Sequence, residues 1–129
     1  MQVKMDHLLS FNSFYTEAKE QGRKFSPLFC AQLAKIKDLI ESDLICYQNS
    51  LNAITEKYAQ KDKEGNYKLS EDGKSYLIIE GKEQEAMAEI KALLEEEVTI
   101  HSEFYVYELS HEDEITLGEG ELIARFLND

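Results

Sequence analysis

Cations are scarce in this chain: 14 Lys and Arg stand against 26 Asp and Glu, a formal net charge of −12 over 129 residues. A protein that grips nucleic acid by neutralising phosphates needs a basic footprint, so direct nucleic-acid binding is not expected. Long apolar runs are also missing. None approaches the roughly 20 residues that span a bilayer, and no secretory leader pattern opens the chain, so a cytoplasmic protein without membrane contact is expected. Cysteine is nearly absent, with only Cys30 and Cys46. Sixteen positions apart on one expected helix, they would stand about 24 Å from each other at a rise of about 1.5 Å per residue. A disulfide needs Cα atoms within about 7 Å, so free, buried thiols in a reducing setting are expected.

The motifs of catalysis are missing as well. There is no Gly-rich phosphate loop, nucleophile elbow or dinucleotide fingerprint. Gly118-Glu119-Gly120 is too short to cradle a phosphate by itself. His7, His101 and His111 are dispersed, without the close ligand pairs of a zinc site. Asp62 to Asn66 lacks the alternating ligands and the closing glutamate of a calcium loop. Cys30 lies near a helix start, where the dipole favours a thiolate, yet Leu28, Phe29 and Ala31 around it read as packing. No catalytic residue, metal or cofactor is expected, and the chain reads as non-enzymatic.

What is present is a folded chain with localised charge. Apolar residues make up 43% of the composition, enough for the core of one domain, 1–129, of this length. Residues 1–82 hold 12 acids and 12 bases and are neutral, whereas 83–129 hold 14 acids against Lys91 and Arg125. All the excess charge therefore belongs to the last 47 residues. This divides the domain into a helical scaffold (1–60), a turn and β-hairpin (61–82), and an acidic helix–strand–helix module (83–129).

Met1 to Lys4 alternates weakly, like a short strand. From Asp6, a good N-cap, Leu8, Leu9, Phe11, Phe14, Tyr15 and Ala18 follow helical spacing until Gly22. Ser26-Pro27 is a strong helix start. From Pro27 to about Gln60 no glycine or further proline intervenes, predicting a helix near three times the usual length of about 11–12 residues. Its apolar seam runs through Phe29, Leu33, Ile36, Ile40, Leu44, Tyr47 and Leu51 to Ile54 and Tyr58, in steps of three and four with one stutter. The first helix is too short to cover such a seam, so self-association along it is expected.

Lys61 to Asn66 is a polar turn. The β-prone runs Tyr67–Leu69 and Ser75–Ile79 flank Asp72-Gly73, a hairpin signal. A third helix follows Gly81, with Met87, Ile90, Leu94 and Val98 on one face. Val98 to Leu109 reads as a strand. Thr116 and Glu119 form a capping-box pattern before a last helix whose stripe is Leu122, Ile123, Phe126 and Leu127. The fold class is α+β, mainly helical: a long coiled-coil-like helix with two or three shorter helices and a small antiparallel β element.

Two features point to partners. Glu95-Glu96-Glu97 closes the third helix, where acids oppose the helix dipole and would suit a partner offering cations. Phe104, Tyr105 and Tyr107, with Tyr67 and Tyr76, would present aromatic anchors on strands, equally explained by cross-strand packing.

Lys57 to Asn66, Asp72-Gly73 and Glu95-Glu96-Glu97-Val98 together resemble a large group of small, uncharacterised proteins of tailed phages and prophages. The shared order covers about residues 28–127: a long charged helix, a Lys-Asp-x-x-Gly-Asn turn, an Asp-Gly hairpin and a helix ending in Glu-Glu-Val. The resemblance implies work in the cytoplasm of an infected or lysogenic bacterial host cell, and two roles compete. One is a small oligomeric, anti-defence binder that docks on a host protein with a basic surface or sequesters a small signalling nucleotide. Nucleotide capture would require Arg23, Lys24, Lys35 or Lys37 to line an intersubunit pocket. The other is a virion assembly factor built on a self-associating helix.

Overall fold

The element order is β1 (Gln2–Lys4), α1 (Met5–Glu20), α2 (Pro27–Tyr58), α3 (Glu83–Glu95), β2 (Glu97–Thr99) and α4 (Leu117–Ala124). This computed structural model describes residues 2–100 and 114–126. The protein is mainly helical, with one long helix and a two-stranded antiparallel sheet. It divides into two units, Met1–Leu44 with Glu96–Asp129, and Ile45–Glu95. The acidic segment 83–129 therefore contributes to both: α3 belongs to the second unit, β2 and α4 to the first.

In the first unit, β1 and β2 pair in register Gln2↔Thr99, Val3↔Val98 and Lys4↔Glu97. The Gln2 side-chain amide donates to Thr99 Oγ1 at 2.8 Å. α1 begins directly out of β1. Lys4 is its extended N-cap and offers no side-chain cap; instead the Met5 N–H donates to the Glu96 carbonyl at 2.8 Å. The Glu96 carbonyl thus takes the first donor of α1, and Asp6, expected as the N-cap, lies instead inside the first turn, where its charge still suits the dipole. At the other end Gly22 (φ 65°) closes a Schellman motif. Its N–H reaches Lys19 O at 3.2 Å, and the Arg23 N–H reaches Ala18 O at 3.0 Å. Both bonds cap orphan carbonyls and need a left-handed residue.

α2 starts as its sequence dictates: Ser26 Oγ accepts from the Phe29 N–H at 3.2 Å, and Pro27 occupies the first helical position. The first four seam residues, Phe29, Leu33, Ile36 and Ile40, are buried within this unit. Leu8, Phe11, Phe14 and Ala18 of α1, with Ile123 and Phe126 at α4, are buried in the same unit. Phe11 and Phe126 lie 5.1 Å apart, centroid to centroid. This first portion of the seam is therefore covered within the chain. Leu44 in this unit, and Tyr47 and Leu51 in the second, are half-buried.

The thiols differ from expectation: Cys30 and Cys46 are both exposed. Cys30 stands one residue past Phe29, a rotation of about 100° at 3.6 residues per turn, which carries it off the buried stripe.

In the second unit three short segments pair in a closed triangle. Gln60 N–H donates to Leu77 O (2.7 Å), Leu77 N–H to Lys68 O (2.9 Å), and Lys68 N–H to Gln60 O (2.9 Å). The bridges Ala59↔Ile78, Lys61↔Tyr67 and Leu69↔Tyr76 are antiparallel. The expected hairpin is present, but the end of α2 joins it as a third partner. Asp62 Oδ1 accepts from the Glu64 and Asn66 N–H groups, so the carboxylate serves turn geometry. On α3 the buried residue is Ala86, not Met87, which is 66% exposed; Ile90, Leu93 and Leu94 are half-buried. The apolar stripe is rotated one residue from the expected one, and Val98 has left the helix for β2.

Candidate functional site

A cleft of about 300 Å³ lies in the first unit between the end of α1 and the start of α2. Ala18 and Leu33, both buried, form its floor. Tyr15, Arg23 and Phe25, all half-buried, form its walls, and Lys19, Gly22 and Cys30 are exposed at its rim. The turn makes this shape. The Schellman motif reverses the chain within Gln21–Arg23, and Ser26-Pro27 starts the next helix at once, so two helix ends stand side by side with an unfilled corner.

Arg23 holds that corner together. Its Nη1 and Nη2 donate to Glu119 Oε2 and Oε1 at 2.5 and 3.0 Å. Nη2 also reaches the Glu114 carbonyl at 3.2 Å, and the guanidinium carbon sits 5.0 Å from the Phe25 ring centroid and 5.8 Å from that of Phe14. Glu119 is itself the third residue of α4's capping box. Its Oε1 accepts from the Thr116 N–H at 3.0 Å, while Thr116 Oγ1 accepts from the Glu119 N–H at 3.1 Å. One carboxylate therefore caps α4 and anchors it to the α1–α2 turn. Hydrogen bonds from Arg23 hold Glu119 below the usual carboxylate value and, reciprocally, raise Arg23. Sequence reasoning found the cap but missed the anchor, because Arg23 and Glu119 are 96 positions apart.

The acidic run is exposed. Glu95 ends α3, Glu96 uses only its backbone carbonyl on Met5, and Glu97 begins β2; all three side chains face solvent. Among the described residues no ion pair engages them. Phe104, Tyr105 and Tyr107, together with His101 and His111, lie outside the described residues.

In the second unit, Tyr67 and Tyr76 make an edge-on ring contact at 5.1 Å. Tyr67 Oη donates to Glu56 Oε2 at 2.5 Å and Lys61 Nζ to Glu56 Oε1 at 2.6 Å. These bonds hold the Glu56 carboxyl below its ordinary value. The pair of tyrosines is thereby occupied in packing and hydrogen bonding. Leu69, Leu77 and Ile79 are exposed around it. Lys57 Nζ meets Glu89 Oε1 at 3.3 Å, linking the last turn of α2 to α3.

Among the described residues no group of three or more His, Cys, Asp or Glu is arranged to hold a metal ion. Among the described residues no helix is long and apolar enough to cross a membrane. No protein-family model, curated protein or solved structure matches this chain.

Proposed function

We propose that this chain is a non-enzymatic binding protein of the tailed-phage or prophage type, working in the bacterial cytoplasm by docking on a host defence protein with a basic surface. The observation that carries the reading is the exposed Glu95-Glu96-Glu97 run, three consecutive carboxylates without an ion pair among the described residues. Three like charges held side by side repel one another, and a cationic partner relieves that repulsion while steering encounter. The remaining excess of acid in residues 83–129 acts in the same sense at longer range. Docking is preferred to nucleotide sequestration because Arg23, the best-placed cation for a phosphate, is already engaged by Glu119. A second reading, a virion assembly factor, is favoured by the half-buried Leu44, Tyr47 and Leu51 and the exposed Ile45 on α2, which leave apolar surface for self-association.

The test is capture from infected and uninfected host lysates with the wild-type chain and with Glu95→Lys/Glu96→Lys/Glu97→Lys, read by quantitative mass spectrometry. A defence-system protein that is enriched by the wild type, lost with the triple variant and released by salt supports docking. A capsid or tail component held equally by both supports assembly. Equal recovery of every protein on both baits overturns the electrostatic reading.

A further inference from the structure

The cleft between the end of α1 and the start of α2 has a composition unlike the rest of this acidic protein. Its floor is apolar, two of its walls are the rings of Tyr15 and Phe25, and its rim carries an ammonium. Both rings are backed. Tyr15 lies over the buried Phe11 at 6.4 Å and 25°, and Phe25 contacts the Arg23 guanidinium at 5.0 Å and the Phe29 ring edge-on at 5.1 Å. Ring walls supported in this way lose little freedom when a flat ligand enters, which favours binding. The volume of about 300 Å³ is at the small end of ligand pockets, about 300–1,000 Å³.

The two cations at the cleft differ in availability. Arg23 is spent on Glu119 and on the rings. Lys19 is exposed and makes no ion pair or hydrogen bond through its side chain to any described residue, so its ammonium is free to meet an anion. The amino end of α2 opens beside the same cleft and adds positive potential to that of the ammonium.

We propose that this cleft binds a small planar aromatic anion, with the ring between Tyr15 and Phe25 above Ala18 and Leu33, and the negative group on Lys19. Arg23 is a positioning residue that fixes the Phe25 wall. This site is separate from the acidic run and does not depend on the docking reading.

Cys30 and Cys46 supply an internal control, because both thiols are exposed but only Cys30 lines the cleft. The experiment measures iodoacetamide alkylation of each thiol in the full chain, with 2-naphthoate, uncharged 2-naphthalenemethanol or inorganic phosphate as the probe. Naphthoate is expected to slow Cys30 at least fivefold at saturation and leave Cys46 unchanged. Naphthalenemethanol should bind more weakly, and phosphate alone should protect neither thiol. Lys19→Glu, an exposed change that leaves the core untouched but puts an acid at the negative end of α1, should weaken naphthoate about five- to tenfold without altering naphthalenemethanol binding, and should lower the melting point only slightly. Equal protection of both thiols, protection of neither, or naphthoate binding indifferent to Lys19→Glu would overturn the proposal.

Discussion

Removing the Arg23–Glu119 anchor should loosen α4 from the α1–α2 turn by an amount the geometry allows one to work out. Two charge-assisted bonds at 2.5 and 3.0 Å join side chains that keep 28% and 20% of their exposure. Hydrogen bonds to charged groups contribute about 1.5–3 kcal/mol when well buried, and exposed ion pairs about 0.2–1 kcal/mol. The partial exposure places this coupling at about 1–2 kcal/mol. Arg23→Ala also loses contact with Phe25 and Phe14, so its cost is about 2 kcal/mol in all. Glu119→Ala removes both the pair and one arm of the capping box, and its cost is about 2–3 kcal/mol. Glu119→Gln keeps an oxygen for the Thr116 N–H and should cost less than Glu119→Ala. Urea unfolding of wild type, both alanine variants and the double variant gives the coupling directly. Hydrogen exchange at α4 amides, about thirtyfold faster in Arg23→Ala and about thirty- to one-hundred-and-fiftyfold faster in Glu119→Ala, shows whether the loss is local. A coupling energy below about 0.3 kcal/mol would refute the anchor. The pH dependence has a definite sign. Glu119 is lowered in the folded chain, so its contribution is complete above the ordinary carboxylate value of 4.5 and is lost as pH falls below it. The coupling between Arg23 and Glu119 should therefore shrink in acid, while the ring-contact loss of Arg23→Ala persists.

Further outcomes follow from other particular residues. Gly118 has open space where a Cβ would stand and no positive φ, so Gly118→Ala should stabilise α4 by about 0.5–1 kcal/mol in thermal unfolding. Gly22→Ala, at φ 65°, should instead destabilise by about 1–2 kcal/mol, since any side chain there is strained. Native chain should react with a thiol reagent at both cysteines without denaturant, and non-reducing electrophoresis should show no internal disulfide. In carbon-detected titrations Glu56 and Asp72 should protonate below free carboxylates, Glu56 because of Lys61 and Tyr67 and Asp72 because of Ser70. Lys61→Ala should return Glu56 toward its ordinary value.

Much of the local structure was legible because the bonds that decide it span only a few residues. Ser26-Pro27 announces α2, Thr116 and Glu119 announce α4, and Gly22 announces the end of α1, each through a cap between near neighbours. Asp62 and Gly73 announce their turns in the same way. Long-range pairing was not legible. Nothing near Asp6 in the sequence shows that Glu96 will take the first donor of α1. Nothing near Asp72-Gly73 shows that Gln60 will join the hairpin. The candidate cleft was missed for the same reason: its floor residues Ala18 and Leu33 read as ordinary core, and no spacing rule marks a corner left unfilled between two helix ends.

By itself, then, the sequence determined the helical character, the length of α2, its caps and turns, and the confinement of the charge excess to residues 83–129. These rest on propensity, local hydrogen bonds and simple counting. Only the tertiary structure decided that Phe29 to Ile40 are covered within the chain, that both thiols face out, and that Met87 is exposed while Ala86 is buried. It also decided that Arg23 spends its charge on Glu119 while Lys19 keeps its own. Burial and charge pairing depend on which distant elements meet, and a rotation of one residue on a helix, about 100°, is enough to reverse either.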